Sequence, residues 1–443
     1  MDIYLKKKKM PIDKLNGMLD NYLGIMRNIK PMNYFEKRAI IPLLTSKLYD
    51  DLIEENDGKI PNKNLITWEI DTRDAQSRNP MNALIVSSTG TGKSRLVKNI
   101  IKYYWKLGYK ILFIEPKSFE FVNANKMGKG IKIHPLDKNE SLPIVSYSPS
   151  FTRYKVKRFT YERLKETNFY SHDLSRMVEP EIWESFGIPK KVADAIIGII
   201  KAAGKKKLTI QNFIDMLKKM NIMANTMTAA RGALENLQST EFFSNMYNEI
   251  PLKKEWDKNN IICINYHNHK GINTCSDLGI ILDMIMELGI QESRKGLKNV
   301  TKKLLVFDDS FFYTGPYALK DFGKGTLNLA VQNIGHCQNN ARTWGVDTIL
   351  ITQNSSNYFI DPILVDSPTY ILCSQVPNAE SLRDKIPGRA YKILTDNDEI
   401  GGENLSPAVS PEEARAYHYP WIFAKNKYSF QIGYPFDVTV GHT

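Results

Sequence analysis

Ala83-Leu84-Ile85-Val86-Ser87-Ser88-Thr89-Gly90-Thr91-Gly92-Lys93-Ser94-Arg95 is the stretch whose reading decides the fold. An apolar run enters it, as a buried strand would. An amphipathic helix leaves it: Leu96, Val97, Ile100, Ile101, Tyr104 and Leu107 recur at helical spacing, and Gly108 closes the pattern. Strand, Gly/Ser/Thr loop and helix in that order form the setting of a phosphate-binding loop. Backbone N–H groups of such a loop and the helix N-terminus after it face phosphate oxygens. Ser88, Thr89, Gly90, Thr91, Gly92, Lys93, Ser94 and Arg95 are therefore the candidate nucleotide-binding set. Lys93 is placed for the β- and γ-phosphates and the Ser94 hydroxyl for Mg²⁺. Ser87 stands where the usual pattern has its first glycine, so that corner needs no strongly positive φ.

Outward from the loop, α/β alternation continues. Lys110-Ile111-Leu112-Phe113-Ile114 reads as a second buried strand ending in Glu115-Pro116-Lys117. Further strands are expected at 261–264, 303–307, 346–351 and 370–373, with helices at 277–292 and 326–342. The fold class is α/β, a mostly parallel sheet flanked by helices. Between the second and third core strands the pattern turns helical. Val192, Ala195, Ile196, Ile199 and Ile200 follow Pro189 on one face. After Thr209, a plausible N-cap, Ile210, Phe213, Ile214, Leu217 and Met220 form the next. The expected organisation is a mainly helical N-terminal region (1–75), the first part of the core (76–150), an all-α insertion (151–255), the second part of the core (256–400) and a C-terminal extension (401–443) of short strands and turns. Asp71 to Pro80 reads as a polar linker.

The 443 residues leave room for two or three domains, and a 42% hydrophobic fraction supports a real core. No apolar run reaches membrane-spanning length, and the lysine-rich start lacks the apolar segment of a signal peptide. A cytoplasmic protein without membrane insertion is expected. The net charge of +12 favours a polyanionic partner, nucleic acid first. Cys263, His267, His269 and Cys275 lie close in sequence, but their spacing fits no standard zinc finger. Cys263 also sits inside an apolar strand, as a buried small hydrophobe does.

The residues that carry chemistry sit at strand ends. Asp308 emerges after Leu304-Leu305-Val306-Phe307, the place and residue type for holding Mg²⁺ through its waters. Asp309 follows, where a carboxylate can orient and deprotonate an attacking water. Gln353 ends the next strand, where a neutral amide can bond both a γ-phosphate and that water; the bland alternative is a polar residue satisfying a turn. Arg342, just before the same strand, is the candidate arginine finger, with a surface ion pair as its bland alternative. The candidate catalytic set is thus Lys93, Asp308, Asp309, Gln353 and Arg342, and Ser94 and Asp308 are the candidate Mg²⁺ ligands.

Taken together, the loop, the Glu115-Pro116-Lys117 and Phe307-Asp308-Asp309 strand ends, and Arg342-x-x-Gly345 followed by Thr352-Gln353 resemble the HerA/FtsK superfamily of P-loop ATPases, over roughly residues 80–395. The resemblance implies a RecA-like ATPase core, ATP and Mg²⁺ as cofactors, and a ring homohexamer with sites between subunits, Arg342 acting on the neighbour's nucleotide. It further implies translocation of nucleic acid, duplex DNA foremost, with a nuclease or virion partner and, for a viral member, virion association. The family's acidic pair is usually Asp-Glu; Asp309 is one methylene shorter, which leaves room for Glu115 or Glu120 to contribute. The shortened acid also motivates the alternative of a nucleotide-gated assembly or scaffold ATPase with little turnover.

Overall fold

The computed structural model describes residues 38–45, 65–71, 73, 78–88, 93–117, 142–153, 168–203, 208–243, 247–319, 327–354, 360–374, 376, 379–395, 421–426 and 429–435. The chain opens with strands β1 (Arg38–Thr45), β2 (Leu65–Asp71) and β3 (Asn82–Ser87), then helix α1 (Lys93–Lys106) and β4 (Lys110–Glu115). β5 (Ile144–Pro149) and β6 (Asn168–Tyr170) follow. Helices α2 (Pro180–Ser185), α3 (Lys190–Ala203), α4 (Ile210–Leu217), α5 (Ala224–Ser239) and α6 (Leu252–Asp257) come next. Then come β7 (Ile261–Asn265), α7 (Ile272–Arg294), β8 (Lys303–Phe307) and α8 (Phe311–Thr314). They are succeeded by α9 (Leu329–Asn339), α10 (Ala341–Trp344) and β9 (Val346–Thr352). The chain continues through α11 (Pro362–Asp366), β10 (Tyr370–Ser374), α12 (Gly388–Thr395), β11 (Trp421–Asn426) and β12 (Ser429–Pro435).

The strands form one sheet in the order β2-β1-β12-β11-β10-β3-β9-β8-β4-β7-β5-β6. From β10 to β6 every neighbouring pair is parallel; β11, β12, β1 and β2 extend it antiparallel. This is the α/β core, a mostly parallel sheet flanked by helices, expected from the sequence. β9 lies between β3, which enters the phosphate loop, and β8, which carries the acidic pair.

Period-two alternation splits the core into two layers. Leu84, Val86, Leu112, Ile114, Leu305 and Phe307 face α7 and α9. Ala83, Ile85, Ile111, Phe113, Leu304 and Val306 face α1, whose Leu96, Val97, Ile100, Ile101 and Tyr104 are all buried. Gly108, at φ 79°, turns the chain from α1 into β4.

Two regional expectations are corrected. The described parts of 1–75 are strands, not helices: Arg38–Thr45 pairs antiparallel with Leu65–Asp71, and the register shifts between Pro42 and Leu44. A short apolar run such as Ile40-Ile41-Pro42-Leu43-Leu44 does not distinguish buried strand from helix by periodicity, and a proline is accommodated at such an irregularity. Residues 1–37 and 46–64 lie outside the described residues. The span 151–255 is also not wholly helical, because Asn168–Tyr170 pairs with β5 at the sheet's edge. Three residues are too few to show a period.

The helices between β6 and β7 build their own cluster around Trp183, Phe213, Leu234 and Phe242, and Ile280 of α7 and Leu329 of α9 join it. Within it α3 buries Val192, Ala193, Ile196, Ile197 and Ile200, while Ala195 and Ile199 lie half-buried at the rim. Thr209 caps α4, its N–H donating to Asn212 Oδ1 at 2.9 Å. A buried polar knot ties this region to the core: Asp277 of α7 accepts from Tyr170 (2.6 Å) and Tyr266 (2.8 Å), with His172 Nε2 2.7 Å from its other oxygen.

Candidate functional site

In a parallel α/β sheet, ligands bind beyond the C-terminal ends of the strands. β3, β8, β9 and β4 all present polar residues there. Ser87 is fully buried at the end of β3, and it is absent from the left-handed residues, as the sequence requires. Lys93 opens α1 and its Nζ turns back onto the carbonyls of Ser87 (2.6 Å) and Ser88 (2.5 Å). Burial pushes its ammonium down to about 8, against the pull of Asp309 and Asp308; Lys117 pushes the same way as burial. Thr89, Gly90, Thr91 and Gly92, and the side chains of Ser94 and Arg95, lie outside the described residues.

The acidic pair is held in a tight turn. Asp308 N–H donates to Ile114 O of β4 (3.0 Å), and Ser310 N–H to Ile351 O of β9 (2.8 Å). Asp309 sits between these two anchors at φ 41°, a left-handed conformation that Asp tolerates better than bulkier residues. Its N–H donates to Asp308 Oδ1 (2.9 Å), and Tyr313 Oη donates to Asp308 O (2.9 Å). Both Asp309 carboxylate oxygens are engaged. Gln353 Nε2 donates to Oδ1 at 3.0 Å, and Lys117 Nζ pairs with Oδ2 at 2.9 Å.

Lys93, Asp308, Asp309 and Gln353 therefore gather at one edge of the sheet. Arg342 does not join them. It lies on α10, before β9 begins, and its Nη2 donates to Asn79 Oδ1 at 3.0 Å. The whole of β9, about 20 Å long at ~3.3 Å per residue, separates it from Gln353. Gly345 fixes this junction: it adopts φ 68°, and a Cβ there would lie 2.7 Å from Thr301 O.

Glu115 is buried at the end of β4, its Oε2 accepting from Asn265 Nδ2 (3.2 Å) and contacting Cys263 Sγ (3.8 Å). Burial, with Glu115 beside it, holds the Cys263 thiol well above its ordinary pKa. Glu120 lies outside the described residues. Of the other residues weighed for zinc, His267 Nε2 lies 2.7 Å from Ser148 Oγ, His269 Nδ1 lies 3.0 Å from Thr274 Oγ1, and Cys275 Sγ contacts Tyr313 O. Among the described residues no three His, Cys, Asp or Glu gather as a metal site.

Sequence reasoning missed two residues. Lys117 was visible only as part of a strand end; its signal was a cation directly after a buried strand, on the ligand side of the sheet. Arg78, inside the expected linker, is 1% exposed and its Nη1 donates to both Asp347 oxygens, at 2.7 and 2.8 Å. Nothing in the run before Pro80 marks it as buried.

The residues fit a nucleoside triphosphate and a hard divalent cation. Lys93 is bonded to carbonyl oxygens that phosphate oxygens can replace, and the described donors beside it, Asp308 and Asp309, are carboxylates.

No protein-family model matches the chain, and no curated protein matches it. Among solved structures, the chain is similar to the bacterial conjugative coupling protein TrwB without its first 70 residues. The identity is 13%, covering 84% of this chain and 87% of that one, with a TM-score of 0.48. TrwB described as a plasmid coupling protein in complex with ADP and Mg²⁺ matches at 12% identity, 83% and 87% coverage, and a TM-score of 0.48. The genome-packaging NTPase of Sulfolobus turreted icosahedral virus 2, in complex with AMPPCP, matches at 10% identity, 80% and 98% coverage, and a TM-score of 0.32.

Proposed function

We propose that this chain is an Mg²⁺-dependent ATPase that moves nucleic acid, duplex DNA foremost, working as a ring homohexamer. The observation that carries the reading is the meeting of Lys93, Asp308, Asp309 and Gln353 at one sheet edge, with β9 between the loop strand and the acidic strand. Ser94 and Asp308 are the residues that would hold Mg²⁺, whose chemistry there is to neutralise phosphate charge. Lys93 binds the phosphates. Asp309 takes a proton from the attacking water, and Gln353, already bonded to Asp309, orients that water. Arg342, remote from its own subunit's site, serves the neighbour's, where a guanidinium can meet the phosphoryl oxygens. Conjugative coupling and genome packaging, the tasks of the structures compared above, are both duties such a motor could serve. The excess of cationic side chains supports a polyanionic track.

The test is ATP hydrolysis with and without duplex DNA, single-stranded DNA and RNA, at several salt concentrations. Duplex DNA should stimulate the wild-type protein, and Lys93→Ala should lose turnover by at least about 100-fold. Absence of stimulation by any nucleic acid would sink the translocase reading. A second reading, a nucleotide-gated scaffold with little turnover, is favoured by one observation: Lys117 and Gln353 already occupy both oxygens of Asp309. ATP-dependent oligomers without multiple turnover would decide for it.

A further inference from the structure

Lys117 and Lys270 reach the same pair of rings from two different strand ends. Lys117 Nζ lies 4.7 Å from the Phe311 centroid and 5.3 Å from that of Phe312; Lys270 Nζ lies 5.8 and 4.5 Å from them. The rings stand 4.5 Å apart at 45° and begin α8, directly after the acidic turn. The two lysines are also held together through the backbone. Tyr266 N–H donates to Glu115 O (3.3 Å) and Asn268 N–H to Pro116 O (2.7 Å). Asn268 Nδ2 adds a bond to Lys117 O (3.3 Å), and His267 and Asn268 both turn left-handed to make these contacts.

We propose that Lys117, Lys270 and the Phe311–Phe312 pair form a phosphodiester-binding platform, and that a nucleic-acid phosphate seated there draws Lys117 off Asp309 and frees that carboxylate for hydrolysis. Three features support it. With one donor on each oxygen, two of the roughly four lone-pair sites of the Asp309 carboxylate are taken before an attacking water arrives, one of them by the Lys117 ammonium. The Lys117–Asp309 pair is open to solvent, with side chains 33% and 15% exposed, and an ion pair so placed is weak enough to exchange. The rings give the Lys117 ammonium a seat that survives its departure from Asp309.

A phosphodiester is the occupant these groups fit best. Two ammonium groups over one ring pair repel each other, and an anion between them relieves that repulsion. Partly exposed Phe311 offers a face on which a base can stack, which a carboxylate-bearing peptide would leave unused. Lys117 acts here as a positioning residue, through Asp309, and not on the nucleotide.

The inference rests on the ATPase reading above, so its test has two independent readouts. The first is ATP turnover with and without a short DNA duplex for wild type, Lys117→Gln, Lys117→Arg and Lys270→Gln. Lys117→Gln should raise DNA-free turnover about two- to fivefold, the factor carried by an ion pair of this kind, and bring the stimulation ratio towards one. Lys117→Arg should keep the wild-type pattern, and Lys270→Gln should lower the stimulation ratio. A tenfold fall in DNA-free turnover of Lys117→Gln with a raised KM for ATP would overturn the proposal, making Lys117 a nucleotide ligand. The second readout is fluorescence anisotropy of a labelled duplex over a salt series, without nucleotide. Each Gln variant should reduce the slope of log affinity against log salt by about one. Unchanged slopes would overturn the platform even if hydrolysis were normal. Turnover insensitive to Lys93→Ala would overturn the ATPase reading and leave the slopes to judge the platform.

Discussion

At one edge of the parallel sheet Arg78 meets Asp347 at 2.7 Å; at the other Lys117 meets Asp309 at 2.9 Å. The two bonds are nearly the same length. Their surroundings differ: the first pair is 1% and 2% exposed, the second 33% and 15%. Around Arg78 the contacts are sealed from water, and its bonds to Asp347 and Tyr109 all run through Nη1. Asp347 also accepts Met81 N–H at 2.9 Å, and Tyr109 Oη lies 3.1 Å from the guanidinium. Around Asp309 the backbone is left-handed, two acids adjoin, and Lys93 sits desolvated nearby. An ion pair sealed from water is costly to break, because its survivor is stranded; one in water is easily exchanged. The pair at the N-terminal edge is therefore costly to break, and the pair at the C-terminal edge is cheap to exchange.

The strongest way to break this contrast is Asp347→Ala. Stranding Arg78 should cost about 3–5 kcal/mol in a urea melt. A loss below about 1 kcal/mol would mean that the buried pair is no more structural than a surface one. Asp309→Asn comes next, with the opposite profile. Turnover should fall about 100-fold while stability stays within about 0.5 kcal/mol, because Asn also tolerates the left-handed turn. Unfolding of this variant in the melt would show that the acidic turn is itself structural.

The smallest effect is the pH response of Lys93, whose ammonium is pushed by burial from its ordinary 10.5 down to about 8. The folded protein thus binds its proton less tightly than the unfolded chain does. Between about pH 8 and 10.5 this group makes stability rise with pH. Phosphate binding needs the charged form, so nucleotide affinity should fall over the same range by up to about tenfold per pH unit. Calorimetry at pH 9 should show proton uptake when ATP binds. No uptake would return Lys93 to the ordinary, exposed kind of lysine.

The central strands were legible in the sequence because each is buried on both faces, so its apolar run is continuous and ends abruptly in a polar residue. Asp308, Asp309 and Gln353 stand at those ends, which is why spacing alone located them. Asn168–Tyr170 and Arg38–Thr45 were not legible: the first is too short to carry a period, and the second mixes Pro42 into an apolar run. Lys117 and Arg78 escaped for another reason. Their partners, Asp309 and Asp347, lie far along the chain, so even where the strand end flags Lys117 as a ligand-side cation, no local pattern says which residue it meets.

β3 has its own long-range dependence. Its neighbours are β9 and β10, and Thr348 Oγ1 bonds Asn82 Oδ1 across 266 residues. On a ribosome adding roughly 5–20 residues per second, that strand waits on the order of 13–50 seconds for the partners that will flank it. The nascent chain thus carries β3 without its sheet neighbours until β9 and β10 have been made. Until they emerge, both hydrogen-bonding edges of β3 lack the strands that cover them in the finished fold.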